Sequence, residues 1–107
     1  MSRQGNPFAL LPVELEMLRE KAYGLQAVGR KLEEVLLKLE RIETALPKLP
    51  PGERALQVLE HGRLYEESEQ LRWKMVVQRE AMGLSRHDDV DRMYPRPARI
   101  KLAARAD

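Results

Sequence analysis

The stretch of this 107-residue chain where chemically useful side chains crowd together is His87-Asp88-Asp89-Val90-Asp91. A His-Asp doublet can ligate a divalent metal for phosphoester hydrolysis, but that chemistry needs further His and Asp ligands. The chain has one other histidine, His61, distant in sequence. The aspartates also lack the second Asp, four residues after the first, that isoprenoid-processing enzymes use; position 92 is Arg. Three neighbouring carboxylates supply too few oxygens for a hard cation such as calcium, which takes about six to eight. Ser85 stands three residues before Asp88, the spacing of a capping box. The cluster therefore reads as the start of a short helix over residues 86–93, ended before Pro95. Neither a metal nor a cofactor is expected.

Other chemistries have less material. With no cysteine, disulfides, thiolate catalysis and Cys-based zinc sites are excluded. Gly24 and Gly29 follow no strand and precede no Lys-Ser or Lys-Thr, so they form no phosphate loop. Inside a helix each costs up to about 1 kcal/mol relative to alanine, so they should mark where a partner helix passes nearest. Ser2, Thr44, Ser68 and Ser85 have no base nearby in sequence to activate them.

One family resemblance is confined to the first helix. Leu18-Arg19-Glu20-Lys21 with Leu25 and Arg30 resembles, loosely, the long opening helix of the short helical chorismate mutases. That resemblance implies an all-helical enzyme with an Arg- and Lys-lined pocket, here grouping Arg30 with Gln78 and Arg79. The chain departs from the family in lacking an Arg-rich start to its second helix and a long third helix.

The elements that must position any site are written in the leucines. Leu11, Leu18, Leu25, Leu32, Leu39 and Leu46 recur every seventh residue. A second apolar line flanks them, at Leu15 and Ala22 early and at Val28, Val35 and Ile42 later. The line changes side because a helix of about 3.6 residues per turn drifts against a seven-residue repeat. Pro12 suits a first helical position, and Glu14 and Glu16 favour the positive end of the helix dipole. A helix over residues 12–46 is expected, roughly 52 Å long at about 1.5 Å per residue.

Pro47, Pro50 and Pro51 then forbid continuation, and so short a turn (residues 47–51) returns the next helix antiparallel to the first. The second helix is expected over residues 52–82, with Gly83 in the left-handed position after it. Its apolar side is read as Leu56, Leu59, Leu64, Leu71, Met75 and Met82, interrupted midway by Glu66-Glu67-Ser68-Glu69-Gln70. The fold class is thus all-α: a long antiparallel, coiled-coil-like hairpin (residues 11–83) with a short third helix and an extended C-terminal tail (84–107). Residues 1–10 form a flexible lead.

Charge is close to balanced, at 19 basic against 17 acidic residues. The tail is the basic part: Arg92, Arg96, Arg99, Lys101 and Arg105 have no acid between them. A dimeric DNA-binding zipper is excluded, because only Arg3 precedes Leu11 and a zipper needs a basic helix there. No signal-peptide core and no apolar run of about 18–20 residues is visible, so a cytoplasmic protein without a membrane span is expected.

A lone hairpin buries a thin core, and Val35-Leu36-Leu37-Leu39 is too wide an apolar zone for one neighbour. The expectation is a non-catalytic protein–protein interaction module, an adaptor, assembly or regulatory subunit. Its hairpin or oligomer core would be the six heptad leucines with Val35, Ile42, Leu64, Leu71 and Met75. Its partner contacts would be Tyr65, Trp73 and Tyr94, since aromatics dominate interface energetics, with Arg96, Arg99 and Lys101 steering. The partner would be a second copy, as in a four-helix bundle, or a larger protein. The alternatives are a nucleic-acid accessory protein using the basic residues 92–105, and a small all-helical enzyme.

Overall fold

The computed structural model describes residues 11–97, an antiparallel helical hairpin followed by a short third helix. The helices are α1 (Pro12–Ala45), α2 (Pro51–Ala81) and α3 (Asp88–Met93), with a single 3-10 turn (Leu46–Lys48) between the first two. Pro12 occupies the first turn of α1, and the Glu14 carboxylate accepts the Leu11 backbone N–H at 3.4 Å. At the other end Pro47 tightens the chain into the 3-10 turn. The Leu49 N–H reaches Leu46 O at 3.2 Å, and the Arg54 guanidinium donates to Leu49 O at 2.9 Å. These bonds satisfy carbonyls that the end of a helix leaves without partners.

α2 ends as the glycine required. Gly83 has φ of 87°, its N–H bonds Glu80 O and the Leu84 N–H bonds Arg79 O, both at 3.0 Å. That pair of bonds is a Schellman motif, for which a residue without a β-carbon costs least. α3 is shorter than the sequence suggests. Its N-cap is His87 and makes no side-chain cap, while Ser85 is exposed, so the expected Ser85–Asp88 capping box is not formed. The reason lies in α2: Arg79 donates to Arg86 O at 3.0 Å and to His87 Nδ1 at 3.4 Å, holding residues 86–87 in the loop.

The core runs along the α1–α2 seam in two clusters. Val28, Leu32, Met75 and Val90 form one; Val35, Leu39, Ile42 and Leu64 form the other. A fully buried Leu or Val contributes roughly 1.5–3 kcal/mol, so these positions dominate the hairpin's stability. Of the leucine heptad, Leu32 and Leu39 are buried while Leu25 and Leu46 are half-buried, as is Leu71 on α2. Leu11 and Leu18 are not part of the hairpin's own core, at 38% and 39% exposed. The antiparallel register explains this, because Lys21 Nζ already reaches the carbonyl of Ala81, the last residue of α2. Among the described helices, α1 therefore runs past its neighbour by more than two turns.

The buried face of α2 also departs from expectation. It comprises Val58, His61, Leu64, Ser68, Arg72 and Met75, whereas Leu56 and Leu59 remain exposed. Half of that face is polar, because each polar member finds a partner that an apolar-stripe reading cannot supply. No described helix is long and apolar enough to cross a membrane.

Candidate interaction surface

The segment after α2 folds back onto the hairpin. Val90 of α3 is buried in the cluster of Val28, Leu32 and Met75, and Tyr94 packs against the same cluster. The landing point is Gly29, where a β-carbon would lie 2.7 Å from the Tyr94 hydroxyl and 3.4 Å from Met75 Cε. Gly29 is thus a point of close approach, to Tyr94 first and to Met75 of α2 next. Residues 93–97 line a groove with Glu33, Leu36 and Leu37, on the flank of the apolar zone that is too wide for α2 alone.

A polar clasp holds the same segment. Arg72, 3% exposed, reaches Asp91 at 3.4 Å and Glu69 at 3.6 Å. Arg96 joins it, donating to Glu69 at 2.9 Å and to Asp91 at 3.3 Å. Two guanidinium groups and two carboxylates therefore tie α2 to the chain on either side of Tyr94. Burial lowers the Arg72 pKa from its ordinary value, the nearby Arg96 charge adds to that, and Glu69 and Asp91 oppose it. On Arg96 the hydrogen bond to Glu69 dominates and raises its pKa. Arginine stays protonated in either case, so the cationic half of the clasp keeps its charge.

Further along the seam, His61 is 1% exposed and its Nε2 donates to Glu43 Oε2 at 2.7 Å, a bond that joins α2 to α1. Tyr65 stacks on that imidazole with centroids 6.4 Å apart and is half-buried. Ser68, wholly buried, returns its hydroxyl to Tyr65 O at 2.7 Å. Arg72, His61 and Glu43 were missed as positioning residues. The spacing 58, 61, 64, 68, 72, 75 carried the signal, disguised by its polar members.

The expected partner contacts separate into two groups. Tyr94 and Arg96 are engaged within the chain, and Tyr65 lies partly in the seam, so these three hold the fold together. Trp73, 69% exposed, stands on the outer face of α2. Arg99 and Lys101 lie outside the described residues. His87 donates from Nε2 to Glu80 at 3.3 Å, while Arg92 pairs with Asp89 and Arg86 with Asp88. His87, Asp88 and Asp89 are therefore engaged around the start of α3 and Asp91 in the clasp, and among the described residues no three acidic or histidine side chains converge as a metal requires. Arg30 is exposed, while Gln78 and Arg79, with which an enzyme pocket would group it, are half-buried.

Among the described residues, the open end of the hairpin carries a run of exposed apolar side chains. Leu11, Leu15 and Leu18 line one side of the overhanging α1, between 38% and 40% exposed, and Val13 and Met17 flank them. This stripe runs into a groove of about 490 Å³ lined by Ala22, Leu25, Met75, Met82, Met93 and Tyr94. Arg19 and Arg79 also line it. Apolar stripe and groove together make one continuous face. The chain matches no protein-family model, no curated protein and no solved structure. Function must therefore be argued from this face itself. A contiguous exposed apolar patch beside a preformed groove is a surface suited to a protein partner, because scattered single leucines are ordinary but a stripe is not.

Proposed function

We propose that the protein is a non-catalytic interaction module, an adaptor, assembly or regulatory subunit that associates through the open end of its hairpin. The observation that carries this reading is the stripe Leu11, Leu15 and Leu18, continuous with the groove at Ala22 and Leu25 and uncovered by any other described helix. Trp73 gives the outer face of α2 a second anchor. The described part of the C-terminal segment, residues 84–97, also contributes to this face. Through Val90, Tyr94 and Arg96 it braces the hairpin and builds one wall of the groove.

In the nucleic-acid alternative, Arg92 and Arg96, the described part of the basic segment, would have to leave Asp89, Glu69 and Asp91 to reach a phosphate backbone. The test is purification of the tagged full chain beside its Leu15→Glu/Leu18→Glu variant. A stoichiometric protein partner, whether another copy or a different chain, should accompany the first and be absent from the second. Retention of every partner by the variant, or the absence of any partner from both, would overturn the reading.

A further inference from the structure

We infer that the occupant of the open end is the same end of a second copy, with the two α1 overhangs lying antiparallel across a two-fold axis. This inference rests on the interaction-module reading and names its partner. Three features of the overhang favour a copy of itself.

The first is size complementarity. Setting Leu15 opposite Leu18 of the other copy puts Leu11 opposite Ala22 of the other copy, by the spacing of the stripe alone. Ala22 borders the groove, so the leucine that ends each stripe meets a small residue and the hollow beside it. The middle of the interface is then two Leu–Leu layers, the interdigitation that antiparallel helices use.

The second feature is charge. The overhang begins acidic, with Glu14 and Glu16, and ends basic, with Arg19 and Lys21. In the register set by the leucines, Glu14 flanks the core beside Lys21 of the other copy. The two-fold axis repeats that pair on the opposite side. A parallel pairing in register would instead put Glu14 beside Arg19 and leave Lys21 out of the pairing. Opposite charges at flanking positions set partner and orientation in helical pairs.

Third, the symmetry is closed. An isologous contact at one end of a long hairpin uses up the apolar stripe on both copies, so this end offers nothing for further growth. The overlap spans about two heptads per chain, roughly 21 Å at about 1.5 Å per residue, which is small for an interface. Reversible dimerisation in the micromolar range follows.

The charge pairs give a test that the hydrophobic stripe alone could not. Dimerisation of the full chain is followed by analytical ultracentrifugation, alongside Glu14→Lys and Lys21→Glu. Each single reversal puts like charges together twice and should weaken self-association about tenfold. Mixing the two variants restores both opposite-charge pairs, and association should return to the wild-type level. Recovery on mixing also answers the concern that either change only frays a helix end, since a folding defect would not be rescued by a second defective chain.

A mixture no better than its components, or a Lys21→Glu chain that dimerises normally, overturns the antiparallel pairing. If the full chain stays monomeric but dimerises once residues 1–10 are removed, that segment covers the face and the inference fails. If association persists through both charge variants yet is lost in Leu15→Glu, the pairing is wrong while the interaction-module reading stands.

Discussion

The hydroxyl of Tyr94 sits over the bare Cα of Gly29, so close that a β-carbon there would come within 2.7 Å of it. Two features of the sequence become one feature of the fold through this contact: a helix-weakening glycine in α1 and an aromatic residue 65 positions later, numbered 29 and 94. Val90 and the Arg72–Asp91–Arg96–Glu69 clasp fix the same segment from either side.

Gly29→Ala should therefore separate two quantities that usually move together. Alanine favours the helix by about 1 kcal/mol, so the unfolding midpoint of the hairpin should hold or rise. The displaced Tyr94 should loosen the segment after α2, and trypsin should cut after Arg92 faster than in the wild type. Unchanged proteolysis would show that Tyr94 is not held by this glycine.

The clasp makes a different prediction. Arg72 is buried among partners it satisfies only in part: among the described residues, its Nε and Nη2 lack hydrogen-bond partners. Exchanging a buried ion for an apolar side chain of similar length is commonly neutral or stabilising. Arg72→Met should thus leave stability within about 1 kcal/mol of the wild type, or raise it. Asp91→Ala keeps the buried cation and removes a carboxylate, and should cost about 1–3 kcal/mol by chemical denaturation. The reverse order of the two variants would contradict the desolvation account.

How much of this was legible in the sequence depends on what each residue reports locally. The hairpin followed from the heptad leucines, Pro47, Pro50 and Gly83, which act through backbone geometry and periodicity alone. The face of α2 did not follow, because His61, Ser68 and Arg72 resemble solvent-facing residues until Glu43 and Asp91 are brought to them. Leu56 and Leu59 misled for the converse reason: they are strongly apolar, but they lie on the far side of α2 from the seam. The open end was half legible. The stripe of Leu11, Leu15 and Leu18 was visible, but its lack of cover came from the register that stops α2 at Ala81.

The seam of α2 yields a third prediction. Ser68 is wholly buried and its hydroxyl is satisfied within its own helix, so Ser68→Ala should be close to neutral. Ser68→Leu overfills the seam and should cost about 1–3 kcal/mol. His61→Ala removes both the bond to Glu43 and the ring under Tyr65, and should cost about 2–4 kcal/mol. Thermal or urea unfolding of the three variants checks this ranking, and a harmless Ser68→Leu would place that position on the surface.

The open end of the hairpin is the surface on which the functional account depends. Sedimentation equilibrium of the full chain over a range of concentrations, beside Leu15→Glu/Leu18→Glu, tests it most directly. The wild type should approach about 25 kDa, twice the 12.4 kDa chain. The variant should remain at the single-chain mass with its helical signal intact. A wild-type chain that stays monomeric at every concentration, or a variant that dimerises as well as the wild type, would contradict the assignment of this end as the association surface.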